Sequence, residues 1–254
     1  MTAPAEEWLK PGERLDDLQR NGLRLIQNPE RFRFGMDAVL LADFVRLRPG
    51  DRVADFGTGT GILPLLLSQN QPRASFSALE IQPEMADMAR RSVSLNGLED
   101  RIHVYQADFL KASALLGRES LEAVVTNPPY GKAGTTLLNA GESVTIARHE
   151  TACTLEEILG ACAGVLKNRG KLFMVFPASR MPELFQALRV SRLEPKRMRM
   201  VFSKISKPPY LVLTEAVKNA NPSLLWEPPL VVYDEENREM PEMDRIYHRK
   251  REEA

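Results

Sequence analysis

The chain is poor in the residues that build disulfide frameworks and metal sites. It has two cysteines, Cys153 and Cys162, and three histidines, His103, His149 and His248, in 254 residues. Two thiols do not make a disulfide scaffold or a zinc site, and the histidines show no ligand spacing, so no metal is expected. No uninterrupted apolar stretch approaches a membrane span. The first residues, MTAPAEEWLKPGE, lack a basic start and an apolar run, so they do not read as a secretory signal and a cytoplasmic setting is expected. Excess charge is missing too, since 34 Lys and Arg balance 34 Asp and Glu. That zero argues against a broad polyanion binder but leaves room for a local basic strip. Core-forming residues are plentiful at 43% hydrophobic, enough for one large domain.

The pattern divides the chain into an N-terminal extension (1–50), a catalytic core (51–218) and a C-terminal tail (219–254). Residues 1–14 are polar and punctuated by Pro and Gly, which predicts a loose lead-in. Asn21-Gly22 is a hairpin signal, and Asp37 is placed to cap a buried helix over 37–45. From residue 52, strands alternate with helices. Strands are predicted over 52–56, 75–81, 102–107, 121–127 and 171–176. Helices are predicted over 62–69, 83–96, 154–167 and 181–189. Thr154 and Glu157 have capping-box spacing, and Cys162 falls on that helix's apolar stripe. Two late runs, 198–202 and 210–217, suggest an antiparallel pair at an edge. Residues 234–254 are dense in charge and read as a solvated tail. Such alternation predicts an α/β fold with a mostly parallel sheet covered on both faces. Ligands then bind beyond the carboxyl ends of the strands, which directs attention to the residues just after each one.

Four pieces stand there in order. After the first strand of the alternation comes Asp55-Phe-Gly-Thr-Gly-Thr-Gly61, a loop whose glycines let the backbone turn sharply and approach a ligand. It is neither the dinucleotide fingerprint nor a phosphate loop. The second strand ends at Leu79-Glu80-Ile81, where an acid can accept from both hydroxyls of a ribose. The third ends before Asp108-Phe109, an acceptor for an amino group beside a ring that could flank a base. The fourth ends in Asn127-Pro-Pro-Tyr130. Two prolines fix an extended backbone and remove two donors, so the carbonyls can accept. The Asn127 side-chain oxygen and the Pro128 carbonyl can then face one NH₂ group, and Tyr130 offers a stacking face.

Together these pieces resemble the class I S-adenosylmethionine-dependent methyltransferases, in the Asn-Pro-Pro-Tyr branch that methylates exocyclic amino or amide nitrogens. Phe34-Gly-Met-Asp37-Ala-Val-Leu-Leu41, Ala147-Arg-His-Glu150-Thr-Ala-Cys-Thr-Leu155, Glu194-Pro-Lys-Arg197 and Pro228-Pro-Leu-Val-Val-Tyr-Asp234 add a narrower likeness. With them, residues 14–234 resemble the bacterial tRNA1(Val) adenine-N6 methyltransferase family. The resemblance implies a Rossmann-like, mostly parallel seven-stranded sheet with an antiparallel edge strand. It implies S-adenosyl-L-methionine as cofactor and, as substrate, a tRNA adenine beside the anticodon. It places Asp55, Gly57, Thr58, Gly59, Gly61, Glu80, Ile81, Asp108, Phe109 and Asn127 around the cofactor, and makes Asn127, Pro128, Pro129 and Tyr130 the catalytic set; Asp37 either approaches the cofactor from the N-terminal segment or only caps its helix.

For the RNA itself, Arg148 and His149 are candidate contacts to phosphate or base edges. Between Arg189 and Lys207 there are seven basic residues and one acid, Glu194. That segment, with Lys196, Arg197 and Arg199, is either a phosphate-tracking strip or a sheet edge protected by charge. Residues 131–143 match no pattern. Three rivals remain: a release-factor glutamine methyltransferase, a DNA adenine methyltransferase and a non-catalytic RNA-binding module. The first carries a helical domain before its glycine loop, which the 54 residues before Asp55 do not resemble. The intact glycine and Asn-Pro-Pro-Tyr motifs speak against the last. The oligomeric state is left open.

Overall fold

The computed structural model describes residues 5–29, 35–128 and 153–249. A hairpin of β1 (Arg14–Asp17) and β2 (Arg24–Gln27) turns through Asn21 and Gly22, both at positive φ. Helix α1 (Met36–Phe44) follows. Then come β3 (Arg52–Phe56), α2 (Ile62–Asn70), β4 (Ser75–Glu80), α3 (Pro83–Leu95) and β5 (Ile102–Gln106). The next five elements are α4 (Ala112–Leu116), β6 (Leu121–Thr126), α5 (Leu155–Val165), β7 (Leu166–Pro177) and α6 (Met181–Val190). The chain closes with β8 (Leu193–Phe202), β9 (Leu211–Lys218), β10 (Leu225–Trp226), β11 (Leu230–Val231) and α7 (Pro241–Ile246).

The main sheet runs β5-β4-β3-β6-β7-β9-β8, and β10 and β11 both pair with β8. It therefore has nine strands rather than the seven expected, the two extra being two-residue strands on the outer edge. The antiparallel strand is β9, and it is not at the edge: β7 and β8 flank it. Strand order reverses between β3 and β6, which opens a crevice at their carboxyl ends.

Both faces of this sheet are covered, so apolar residues of its central strands face both sides rather than one. Successive residues still go to opposite sides. Val53, Ala123, Val125, Phe173 and Val175 join the core beneath α1 and α2, while Ala54, Phe56, Val124, Leu172 and Met174 join the core beneath α5 and α6. The predicted capping box forms: Thr154 accepts from Glu157 N–H, and Glu157 accepts from Thr154 N–H. Pro195 is tolerated inside β8 because the register slips between Pro195 and Arg197.

Two expectations are corrected at the termini. Residues 8–13 are not a loose lead-in: Trp8 and Leu9 pack against Ile26, Met85 and Met88, and Arg91 donates to both Glu13 oxygens at 2.7 Å. The tail is not simply solvated: α7 buries Met243 and Ile246 completely, and Arg20 donates to the Ile246 carbonyl at 2.7 Å. Two apolar residues a helical turn apart suffice to dock a segment whose other residues are charged. Among the described residues, no helix is long and apolar enough to cross a membrane.

Candidate functional site

The carboxyl ends of β3, β4, β5 and β6 bring the predicted pieces together. Gly57, Gly59 and Gly61 have φ of +76°, +58° and +91°, the left-handed region that side chains avoid. Gly61 also lies close to α3: a Cβ there would stand 3.4 Å from Ala89 Cβ. Gly57 and Thr58 both donate to Leu79 O, so the loop is pinned to the end of β4.

Asp55 is 1% exposed, and among the described residues neither of its oxygens has a hydrogen-bond partner. Burial pushes its pKa up to about 7; the nearby Thr58 hydroxyl pulls it down, though not in full hydrogen-bonding geometry, and the charge of Glu80 adds to the rise. Thr58 Oγ1 and Thr60 Oγ1 are also buried without partners among the described residues. Glu80 accepts from Gly59 N–H at 2.9 Å with one oxygen and from Gln82 N–H at 2.9 Å with the other. Burial raises its pKa, and these backbone donors oppose the rise. Each Glu80 oxygen keeps a further lone pair for a ligand hydroxyl. Ile81, 59% exposed, offers an apolar surface beside it. Asp108 accepts from Leu110 N–H at 2.9 Å, and Phe109 stacks on Phe56 with centroids 5.5 Å apart.

Asn127 follows β6 directly, next to the end of β3. Thr126 Oγ1 donates to Phe56 O at 2.9 Å, which ties the two strand ends together. Asn127 Nδ2 donates to Asp37 Oδ2 at 3.1 Å, and Pro128 is buried. Asp37 is not the helix cap that the sequence suggested; Gly35 holds that position. Pro129, Tyr130, Arg148 and His149 lie outside the described residues.

At the centre of the basic strip, two arginines are held by partners within the fold. Arg197 is bound to Glu215, Glu227 and Phe44 O, and its guanidinium lies 3.8 Å from the Phe44 ring centroid. Arg199 donates to both oxygens of Glu242 and to Pro228 O. Acids from later segments neutralise both. Lys196 reaches Asn221 O at 3.1 Å. Lys207, further along, is exposed.

Tyr210 was missed. It stands just before β9, and its hydroxyl lies 4.0 Å from Met36 Sδ, one residue from Asp37. Burial, with Asp37 next in effect, pushes its pKa up to about 12. The signal was present, since Lys207-Pro-Pro-Tyr210 repeats the Pro-Pro-Tyr of residues 128–130.

These residues fit a ligand with an ammonium group, vicinal hydroxyls and a planar base. The orphaned Asp55 carboxylate suits the first, Glu80 the second, and Ile81, Asp108 and Phe109 the third. A family model described as methyltransferase small domain matches residues 34–190. A tRNA1(Val) (adenine(37)-N6)-methyltransferase of Porphyromonas gingivalis is 31% identical, covering 72% of this chain and 73% of its own. One of Tolumonas auensis is 28% identical, over 82% of this chain and 85% of its own. A crystal structure of a predicted O-methyltransferase from Agrobacterium tumefaciens shares the fold, with TM-score 0.69 and 23% identity over 84% of this chain and 96% of that one. The strand order, the glycine loop, the ordered motifs and the length of these matches converge, and the chain belongs to the methyltransferase small domain family.

Proposed function

We propose that the protein methylates the exocyclic N6 of an adenine in tRNA, using S-adenosyl-L-methionine. The observation that carries this reading is the placement of Asn127: it follows β6 at the strand-order switch, two residues beyond Val125, the β6 partner of the buried Asp55, whose oxygens have no partner among the described residues. The names of the relatives point to adenine 37 of tRNA1(Val). A tRNA substrate implies work in the cytoplasm.

Asp55 and the Gly57–Gly61 turn would hold the methionine end of the cofactor, Glu80 its ribose, and Ile81, Asp108 and Phe109 its adenine. When bound, the cofactor supplies a methyl group on a positively charged sulfur. An adenine amino group is a poor nucleophile because its lone pair is delocalised into the ring. Two acceptors, Asn127 Oδ1 and the Pro128 carbonyl, take its two N–H groups and favour a pyramidal nitrogen. A strong base is unnecessary, because the nitrogen becomes acidic as it is alkylated. Positioning and fixed dipoles therefore carry most of the rate. The target base must be unpaired or flipped out of its stack.

The test is incubation with methyl-labelled cofactor and separate tRNA, DNA and release-factor fractions. Label is expected in tRNA as N6-methyladenosine, and replacing adenine 37 of tRNA1(Val) by guanine should abolish it. Label in protein, or on a ring nitrogen, would sink the reading.

A further inference from the structure

Asp37 touches the residue on which the proposed reaction depends. Its Oδ2 accepts from Asn127 Nδ2 at 3.1 Å, and its Oδ1 accepts from Ala38 N–H at 3.1 Å. Separate donors therefore fix the two ends of the carboxylate. Gly35 leaves the room: a Cβ at that position would stand 2.4 Å from Asp37 Oδ1, so a side chain there would displace the carboxylate. The far end of α1 is anchored as well. Arg197 donates to Phe44 O at 2.8 Å, Asn70 to Ala42 O at 3.0 Å, and Arg245 pairs with Asp43 at 2.9 Å.

We infer that Asp37 is a positioning residue that selects the amide orientation of Asn127, so that Oδ1 rather than Nδ2 is the branch offered to the incoming amino group. A side-chain amide has two nearly isosteric branches, one an acceptor and the other a double donor. Rotated by half a turn, Asn127 would set Oδ1 against the Asp37 carboxylate and present donors to a group that itself donates. An ionised carboxylate only accepts, so it penalises that orientation; an amide or hydroxyl at position 37 could adapt to either. The charge-assisted bond at Nδ2 also polarises the amide and strengthens Oδ1 as an acceptor. The inference rests on the proposed reaction in one respect, that Asn127 accepts from an amino group.

Asp37→Asn keeps the shape and loses the acceptor-only character. Its kcat should fall about 10- to 100-fold, with the RNA KM and the calorimetric cofactor Kd within about threefold of wild type. In an Asn127→Ala background the same substitution should change kcat by less than about twofold, because the effect acts through Asn127. A second readout needs no turnover. In ¹⁵N-labelled protein the Asn127 side-chain NH₂ signals, assigned by their loss in Asn127→Ala, should shift and exchange faster with water in Asp37→Asn. Gly35→Ala, which moves the carboxylate without removing it, should produce the same spectral change. Unaltered Asn127 signals in Asp37→Asn would overturn the inference. So would a cofactor Kd weakened equally in both backgrounds, which would make Asp37 a cofactor ligand instead. A wild-type protein that makes no N6-methyladenosine would sink the proposed reaction, while the amide signals still decide the orientation.

Discussion

Two polar regions of this molecule are built in opposite ways. At the carboxyl ends of β3 and β4, a buried carboxylate and two buried hydroxyls have no partner among the described residues. Towards the outer edge, around β8 and β9, one buried hydroxyl, Thr214 Oγ1, also lacks a partner among the described residues, but the half-buried charges are matched: Arg197 meets Glu215 and Glu227, Arg199 meets Glu242, and Lys171 meets Glu215. Leaving a buried polar group unpaired costs free energy, so a fold keeps one where something else will satisfy it. The edge spends its charges on holding strands and helices together. The crevice keeps a carboxylate unmatched among the described residues, as the proposed cofactor site requires.

The contrast breaks most sharply at Asn127. Asn127→Ala should lower kcat about 10³-fold, roughly 4 kcal/mol, while calorimetric cofactor affinity stays nearly constant. Retained turnover would show that the crevice acts by some other group. At the edge the expected loss is of stability instead. Arg197→Ala should cost about 3 kcal/mol, the low end for breaking a buried pair, and lower Tm by about 10 °C. A calorimetric scan checks it, and cofactor affinity should not follow.

Asp55 sharpens the comparison through pH. Its folded pKa of about 7 stands above the ordinary 3.8, so the folded state binds the extra proton between those values. Stability is therefore lost as pH rises from about 4 through about 7. Asp55→Asn should relieve this, raising ligand-free stability by about 4 kcal/mol at pH 8 and by little at pH 4. Denaturant melts at the two pH values measure it. An unchanged difference would mean that the carboxylate is solvated after all. The smallest effect belongs to exposed Lys207. Lys207→Glu should weaken tRNA binding by less than about 1 kcal/mol and reduce the salt slope of log K by about 1. The same charge reversal at Arg199 should show up in the melting curve first.

The crevice was legible because its signals are local. Three glycines with positive φ, an acid closing β4 and an asparagine just after β6 each announce themselves within a few residues. The edge stayed open between a phosphate-tracking strip and a charge-protected sheet edge, because charge density along a sequence says nothing of partners. Glu215 and Glu227 lie 18 and 30 residues beyond Arg197, and Glu242 lies 43 beyond Arg199. The docking of α7 escaped for a related reason: Met243 and Ile246 are too few to set up a helical period among charges.

The sequence by itself determined the alternation of strands and helices, the residues at each strand end and the chemistry they can perform, since periodicity and turn chemistry act over short range. Only the tertiary structure decided which charges are spent and which are kept. It also decided that Asp37, 90 residues before Asn127, holds that amide. Such pairings are set by where the folded backbone brings distant segments together, and no local pattern encodes that distance.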